Sequence, residues 1–301
     1  MGERFQYAAV WLILQGLGIL PRPLARAVGH CLARILFLLR PPLRRAAIEN
    51  LRLAYPEWDD ARRRAVIRGM VRSLGWLAAE FAHFPGLNRA NVERVVIQQG
   101  FEHFQAGLER GKGVLFLTGH IGGWEVGSYA HSIYAGPIHF LVRAVDNSRV
   151  DALVNRYRGL RGNQPIEKND SVRAVLRALG AGGAVGILAD NNTSRSEGVF
   201  VNFFGIPACT TAGLARFAMH TDAAVVPGYT LWDKTLGKYR LCYEPAVPLA
   251  RSGDDQADII ENTQRFTSAI EAIVRKAPEQ WLWVHRRWKT RPEGEASIYP
   301  D

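Results

Sequence analysis

The stretch GVLFLTGHIGGWE, residues 113–125, indicates the fold class of the whole chain. Residues 113–118 form a short, continuous apolar run, which is typical of a strand buried in a parallel sheet. The glycines that follow, at 119, 122 and 123, permit a tight turn and the close approach of a ligand. Functional groups of open α/β sheets collect at the carboxyl ends of the strands, so we expect His120 to face a cleft.

Similar apolar runs recur along the chain and alternate with segments of helical periodicity. This alternation predicts an α/β fold with a mixed, largely parallel sheet flanked by helices. We predict strands at residues 92–98, 113–118, 137–142, 184–189, 223–229 and 239–243, helices at residues 101–110, 151–159, 171–179, 212–220 and 259–276, and a polar loop at residues 251–258.

The N-terminal segment has a different pattern. Residues 5–20 carry no charge, and residues 24–39 are largely apolar apart from a stripe in which Arg26, His30 and Arg34 recur every four residues. A helix over residues 5–20 spans roughly 24 Å, less than the ~30 Å hydrocarbon core of a bilayer. We expect helices that lie at a membrane surface with their basic side chains towards headgroups, although two ordinary buried helices are the alternative. The predicted units are membrane-associating helices over residues 1–40 and a larger domain over residues 41–301.

The charge of the chain points to an anionic partner. The 301 residues carry a formal net charge of +10, which suits nucleic acid, acidic lipid or an acidic protein. Arginines are dense between residues 40 and 72, where they form either a solvated helix face or a surface for headgroups or an acidic carrier.

Cys31, Cys209 and Cys242 have neither metal-ligand nor disulfide spacing, so we place the bulk of the chain in a reducing cytoplasm.

His120 and Glu125 form a candidate catalytic pair. Five residues along a straight helix would separate them by about 140°, so a pairing requires His120 to precede the helix. A carboxylate beside an imidazole fixes its tautomer and stabilises the charge that forms when it accepts a proton. No Gly-x-Ser-x-Gly nucleophile motif occurs, which favours direct transfer to a hydroxyl. A purely structural hydrogen bond between the two residues is the alternative.

The segment from His120 to Glu125 resembles the H-x-x-x-x-[DE] signature of glycerolipid acyltransferases, and the rest of the chain resembles the late acyltransferases of lipid A biosynthesis. The matches run in family order from about Asn50 to Arg291. The segments that carry them are LVRAVDN (141–147), LAD (188–190), GVFVNFFGIPA (198–208), AAVVP (223–227) and EQWLWVHRRWK (279–289). One departure is Asn191, where the family commonly has glutamine after the aspartate.

The resemblance implies a glycerolipid acyltransferase-like fold over residues 41–301 and an O-acyltransferase reaction. His120 would act as the general base, oriented by Glu125, and would deprotonate a hydroxyl of a lipid A precursor. The donor would be an acyl carrier protein thioester, without a metal or another cofactor. The enzyme would lie at the cytoplasmic face of a bacterial inner membrane, against anionic lipids.

The same resemblance implies substrate-binding roles for further residues. Arg143 would bind a phosphate, unless it forms a salt bridge to Asp146 or Asp190. Asp190 would hold Arg143 or line the cleft, or it is structural. The segment Phe203, Phe204 and Gly205 would wall the acyl-chain or acceptor pocket, or belong to the core, and Arg158, Arg161 and Lys168 are basic candidates whose alternative is a solvated surface.

Two other functions remain open from the sequence. The acceptor could be another glycolipid, such as a mannosylated phosphoinositide or an ornithine lipid, or the chain could be a non-catalytic membrane-binding scaffold. A nucleic-acid partner is not expected, because the arginines are not interleaved with exposed aromatic residues and no binding motif occurs.

Overall fold

The computed structural model describes residues 2–167 and 171–299. These residues form ten α-helices: α1 Gly2–Ile19, α2 Arg22–Leu39, α3 Pro41–Ala54, α4 Asp60–Ala82, α5 Phe101–Glu109, α6 Trp124–Tyr134, α7 Ser148–Arg158, α8 Ser171–Gly180, α9 Gly213–Thr221 and α10 Asp255–Lys276. They also form nine strands: β1 Val96–Gln99, β2 Val114–Thr118, β3 His139–Val142, β4 Gln164–Glu167, β5 Ala184–Leu188, β6 Gly198–Phe203, β7 Ile206–Thr211, β8 Ala224–Asp233 and β9 Lys238–Tyr243.

A seven-stranded sheet in the described chain has the order β1-β9-β8-β2-β5-β3-β4. Every neighbouring pair in it is parallel except β8 and β9, which pair antiparallel. The predicted mixed, largely parallel sheet flanked by helices is therefore confirmed. Strand β4 and the separate antiparallel hairpin of β6 and β7 were not predicted. The polar loop predicted at 251–258 was wrong at its end, because Asp254 caps α10 by accepting hydrogen bonds from Gln256 N and Ala257 N.

The two faces of the sheet pack against different helices. In β2, Leu115 and Leu117 point into a core shared with α3, α8, α9 and α10, whereas Val114 and Phe116 point into a core shared with α5, α6 and α7. This alternation follows from the two-residue period of a strand, and burial on both faces explains why β2 is apolar from Val114 to Leu117. The central strand is thus held on both sides, and its carboxyl end is fixed for the loop that follows.

The N-terminal helices pack onto the rest of the protein. Helix α2 crosses α4 where Gly29 and Gly75 meet, and a Cβ on Gly29 would lie only 2.3 Å from Gly75 O. Glu80 of α4, which is 2% exposed, accepts hydrogen bonds from Arg22 and Arg26 of α2 at 3.1 and 2.7 Å. Arg26 therefore turns inward, and its guanidinium lies 4.4 Å from the Trp232 ring instead of facing headgroups as predicted.

The outer faces of α1 and α2 remain apolar and exposed. Phe5 of α1 is 77% exposed, and Leu39 of α2 is 72% exposed. Further exposed apolar side chains on the two helices are Trp11, Leu12, Ile13, Ile19, Leu24, Leu32, Ile35, Leu36 and Leu38. Across residues 2–167 and 171–299, no helix has both the length and the apolarity that crossing a membrane would need.

Candidate active site

His120 and Asp190 meet beyond the ends of two neighbouring strands. Strands β2 and β5 run parallel with Thr118 opposite Leu188, and each of the two residues lies two positions further along its chain. His120 Nδ1 donates to Asp190 Oδ1 at 2.9 Å, and the backbone N–H of His120 donates to Asp190 Oδ2 at 2.7 Å. Gly119 makes this approach possible, because a Cβ there would lie 2.9 Å from Asp190 Oδ2. The imidazole is therefore fixed relative to its own backbone.

Asp190 is buried, with 3% of its surface exposed. Its Oδ2 also accepts a 2.8 Å hydrogen bond from the indole N–H of Trp281. Burial opposes the charged form, but the His120 imidazole and these hydrogen bonds outweigh it and hold the pKa of Asp190 at about 2. The carboxylate is thus ionised at neutral pH and accepts three hydrogen bonds.

The charge on Asp190 acts on His120. Burial of the imidazole lowers its pKa, but the Asp190 carboxylate and the hydrogen bond to it prevail, so that the pKa of His120 is raised above its ordinary value. Glu125 adds to this rise and Arg158 opposes it. A carboxylate can only accept, so in the neutral ring Nδ1 carries the proton and the lone pair is on Nε2. His120 lines an open groove, where Nε2 is able to act as a base.

Glu125 lies in the first turn of helix α6 and pairs with Arg158 at the end of α7. The Arg158 Nε donates to Glu125 Oε2 at 2.9 Å, and a second, shorter hydrogen bond joins Nη2 to Oε1. The two side chains are only 20% and 14% exposed. Among the described residues, Glu125 makes no hydrogen bond to His120, so its influence on the imidazole is electrostatic. The side chain that hydrogen-bonds the His120 ring is Asp190.

The segment at 280–282 holds the loop that carries His120. The backbone N–H of Gly122 donates to Gln280 O at 2.7 Å, and the N–H of Leu282 donates to His120 O at 3.1 Å. Gly122 has a φ of +56°, and a Cβ there would lie 2.0 Å from Thr230 O. A side chain at this position would therefore break the contact between the loop and β8.

Within the described chain, no cluster of three or more His, Cys, Asp or Glu residues is arranged to hold a metal ion.

A groove of about 1250 Å³ opens at His120. Helices α8 and α9 contribute Leu176 and Phe217 to its wall, and Arg143 and Arg216 add exposed cationic side chains. This mixture of apolar and cationic surface suits a lipid that carries anionic groups.

A second, narrower cavity lies between α6 and the sheet. Its lining is mainly apolar and includes Phe116, Phe140 and Leu241, with Trp124 and Glu125 at the start of α6. The cavity and the groove share four lining residues, Leu141, Val142, Arg158 and Leu188. The two spaces are therefore adjoining at the edge of the sheet where His120 lies.

The structure brings His120, Glu125, Arg158 and Asp190 together, and the other predicted site residues differ in where they lie. Arg143 lines the groove, with its side chain 88% exposed and 4.0 Å from Asp146. Arg161 donates to Leu87 O. Lys168 lies outside the described residues.

The predicted pocket residues Phe203 and Phe204 lie in an aromatic core and are absent from the described lining of both spaces. Phe203 packs 5.5 Å from Trp281, and Phe204 packs 5.2 Å from Tyr55. Gly205, with a φ of +75°, forms the turn between β6 and β7. Sequence reasoning missed two contacts of Asp190, with His120 and with Trp281, since these partners lie 70 and 91 positions away along the chain.

Comparison with known proteins identifies the family. A family model described as bacterial lipid A biosynthesis acyltransferase matches residues 3–290. The lipid A biosynthesis lauroyltransferase of Escherichia coli (strain K12) is 30% identical over 298 residues, which cover 96% of this chain and 92% of that protein. The lipid A biosynthesis palmitoleoyltransferase of the same organism is 28% identical over 307 residues, covering 99% and 97%. Its myristoyltransferase counterpart is 24% identical over 302 residues, covering 98% and 91%.

This chain belongs to the bacterial lipid A biosynthesis acyltransferase family, as its motifs predicted. It is accordingly an enzyme of the acyltransferase class. The three relatives are named for different acyl chains, so membership of the family leaves the chain length open.

Proposed function

We propose that the protein transfers a fatty acyl chain from an acyl carrier protein thioester to a hydroxyl group of a lipid A precursor. The observation that carries this proposal is the position of His120. Its imidazole lies where an open groove adjoins an apolar cavity, and its Nδ1 is held by Asp190. The groove has room for a large acceptor, and the mainly apolar cavity, with a volume of about 90 Å³, suits part of a hydrocarbon chain, so both substrates would meet at one base.

In this mechanism Nε2 of His120 accepts the proton of the acceptor hydroxyl while the oxygen attacks the thioester carbonyl. The tetrahedral intermediate then collapses, the carbon–sulfur bond breaks, and the leaving thiolate takes the proton back from the imidazolium. Asp190 stabilises the imidazolium between these steps and keeps Nε2 directed at the groove. The proton and the acyl group are both conserved, so no further reactant is needed.

Glu125 has an electrostatic role in this proposal. Its carboxylate raises the pKa of His120 together with Asp190, and so offsets the charge that develops on the ring. Arg158 keeps Glu125 in place through a bidentate pair, a geometry in which a guanidinium fork is strongly preferred over a lysine. We therefore assign the orientation of His120 to Asp190 and the offset of its charge to both carboxylates.

The acceptor would lie in the groove and the donor chain in the cavity. Arg143 and Arg216 at the groove are suited to the phosphates of a lipid A precursor or to the phosphopantetheine phosphate of the carrier. The net charge of +10 favours an acidic carrier protein as the donor.

The exposed apolar faces of α1 and α2 would hold the enzyme at the cytoplasmic face of the inner membrane. Exposed apolar surface of this extent on a soluble domain marks an interaction site, and Arg34, Arg40 and Arg44 at its edge suit anionic lipids. The test is sedimentation with vesicles: the protein should bind phosphatidylglycerol-containing vesicles, and Leu36→Asp with Leu39→Asp should weaken binding. Leu236→Asp, at a similarly exposed leucine in the β8–β9 turn, is the control.

The proposed reaction is tested by incubating the purified protein with acyl carrier protein thioester and a lipid A precursor in detergent, and by measuring the acylated product by mass spectrometry. His120→Ala should abolish transfer. His103→Ala, on α5, is the matched control and should retain it. Equal activity in wild type and His120→Ala would overturn the mechanism.

The alternatives make different predictions in related assays. Another glycolipid acceptor predicts no product from the lipid A precursor, together with a change in a second glycolipid in total lipid from cells that lack the gene. A membrane-binding scaffold predicts vesicle binding without turnover on any acceptor.

A further inference from the structure

On the face of the sheet beneath α6, a glycine lies between two phenylalanines, and this arrangement shapes the cavity. Gly186 of β5 is paired with Phe116 of β2 on one side and with Phe140 of β3 on the other. Directly opposite residues in a sheet project to the same face, so two phenyl rings flank a position without a side chain. All three residues line the cavity. The bare backbone of Gly186 is therefore the floor of a channel between two aromatic rings.

The space above Gly186 is free. A Cβ built there would meet its nearest neighbours, including Ile138 Cδ1 and Phe140 Cβ, only at 3.8 Å, which is ordinary van der Waals contact. The other glycines in the cavity wall have no such room. A Cβ on Gly127 would lie 2.0 Å from Thr230 Oγ1, and one on Gly228 would lie 3.0 Å from the Phe116 ring. Close packing explains why glycine is required at those two positions, but it does not explain why residue 186 is a glycine.

The cavity extends from the active site towards the interior. Thr118 and Glu125 line it near His120, while Phe116, two residues before Thr118 in β2, and His131, six residues after Glu125 in α6, line it further from His120. His131 is 3% exposed, and its Nδ1 is hydrogen-bonded to Tyr243 Oη at 2.8 Å. Burial lowers the pKa of His131 to about 4, so the ring is neutral, and the Tyr243 hydroxyl pairs with one of its two nitrogens. The inner wall is therefore compatible with the methyl end of a hydrocarbon chain.

We propose that Gly186 is a specificity-determining residue, and that the space above it sets the length of acyl chain that the cavity accepts. This proposal rests on the proposed function and deepens it. A side chain at this position would fill the channel between Phe116 and Phe140 and shorten the usable cavity. Since protein interiors are closely packed, even a single methyl group at this position would reduce the space for an acyl chain that passes over it.

The experiment is a competition assay with an equimolar mixture of saturated acyl carrier protein thioesters from octanoyl to palmitoyl. Gly186→Ala and Gly186→Val should move the product distribution towards shorter chains, with Val giving the larger shift. We expect the ratio of the longest accepted chain to the next shorter one to fall about 10-fold or more, since one methylene in an apolar pocket discriminates by about 10–200-fold. Gly180→Ala, on the exposed end of α8, is the matched control and should leave the distribution unchanged.

Phe116→Leu provides the opposite test, because it removes part of the ring that bounds the channel and should admit longer chains. Thermal unfolding of each variant shows whether it is folded. Folded, active Gly186 variants with the wild-type product distribution would overturn the proposal while leaving the proposed function intact. Absence of transfer by the wild-type protein from every thioester would instead overturn the proposed function.

Discussion

Asp190 holds His120 at two atoms, with one carboxylate oxygen 2.9 Å from the imidazole Nδ1 and the other 2.7 Å from the backbone nitrogen. A single side chain thus fixes both the ring and the segment of chain that carries it. Since the pairing of β2 with β5 places the two residues side by side, the orientation of the base is built into the register of the sheet. The position of His120 in the site is therefore set by the ends of β2 and β5 more than by helix α6.

Asp190→Asn should reduce kcat on the order of 10²–10⁴-fold, the range in which positioned acid–base catalysis contributes. An asparagine that presents its NH₂ group to Nδ1 stabilises the wrong tautomer and removes the charge that stabilises the imidazolium. The acyl-transfer assay measures this effect directly. Asp60→Asn, at a 60% exposed side chain on α4, is the matched control and should keep full activity. Wild-type kcat in Asp190→Asn would contradict the assigned role.

The pH dependence of transfer provides an independent check on the same pair. Burial lowers the pKa of His120 but Asp190 raises it further, so the neutral, basic form is lost at a higher pH than for an ordinary histidine. We therefore expect kcat/KM to fall as the pH drops through this raised pKa. In Asp190→Asn the charge that raises the pKa of His120 is absent, whereas the burial that lowers this pKa remains. The acidic limb of the profile should therefore move to lower pH. Profiles recorded between about pH 5 and 8 decide this, and coincident limbs would contradict it.

Trp281→Phe should weaken catalysis through Asp190 while nearly preserving the ring packing. Loss of the 2.8 Å indole hydrogen bond leaves the buried carboxylate with one donor fewer, which costs about 2 kcal/mol of stability. Activity should fall about 10-fold. Trp283→Phe loses a similar 2.7 Å bond, but its acceptor is the neutral Pro278 carbonyl, so stability should fall by about 1 kcal/mol with activity retained. Equal activity in the two variants would show that the Trp281 bond does not act through Asp190.

Much of the fold could be predicted because its signals are local. The apolar runs of β2 and β5 each occur within a few residues, and both were placed correctly with His120 and Asp190 at their ends. The contact between these residues depends on which strands are neighbours, and periodicity does not contain that information. The adjacency of two strand ends, each followed by a polar side chain, was the signal that could have suggested it.

The hairpin of β6 and β7 was missed for a different reason. Its turn is formed by Phe204 and Gly205, with φ of +54° and +75°. A two-residue turn with both φ values positive normally carries asparagine, aspartate or glycine at its first position, so a phenylalanine there does not predict a turn. Tertiary contacts support the strained conformation: Phe204 N donates to Glu271 at 2.6 Å, and the Arg275 guanidinium lies 4.4 Å from the Phe204 ring. Local propensity was overridden by packing against α10.

A double-mutant cycle separates the structural and the electrostatic roles of Glu125. Arg158→Ala leaves a largely buried carboxylate unpaired and should lower the free energy of unfolding by about 3 kcal/mol, with a loss of activity. Adding Glu125→Gln removes the unpaired charge and should restore most of the stability. Activity should stay low, because Glu125→Gln also removes the negative charge that raises the pKa of His120. Arg52→Ala, at an exposed pair with Glu49, should change neither quantity. If activity in the double variant instead recovered along with stability, Glu125 would serve only to anchor α7 to α6.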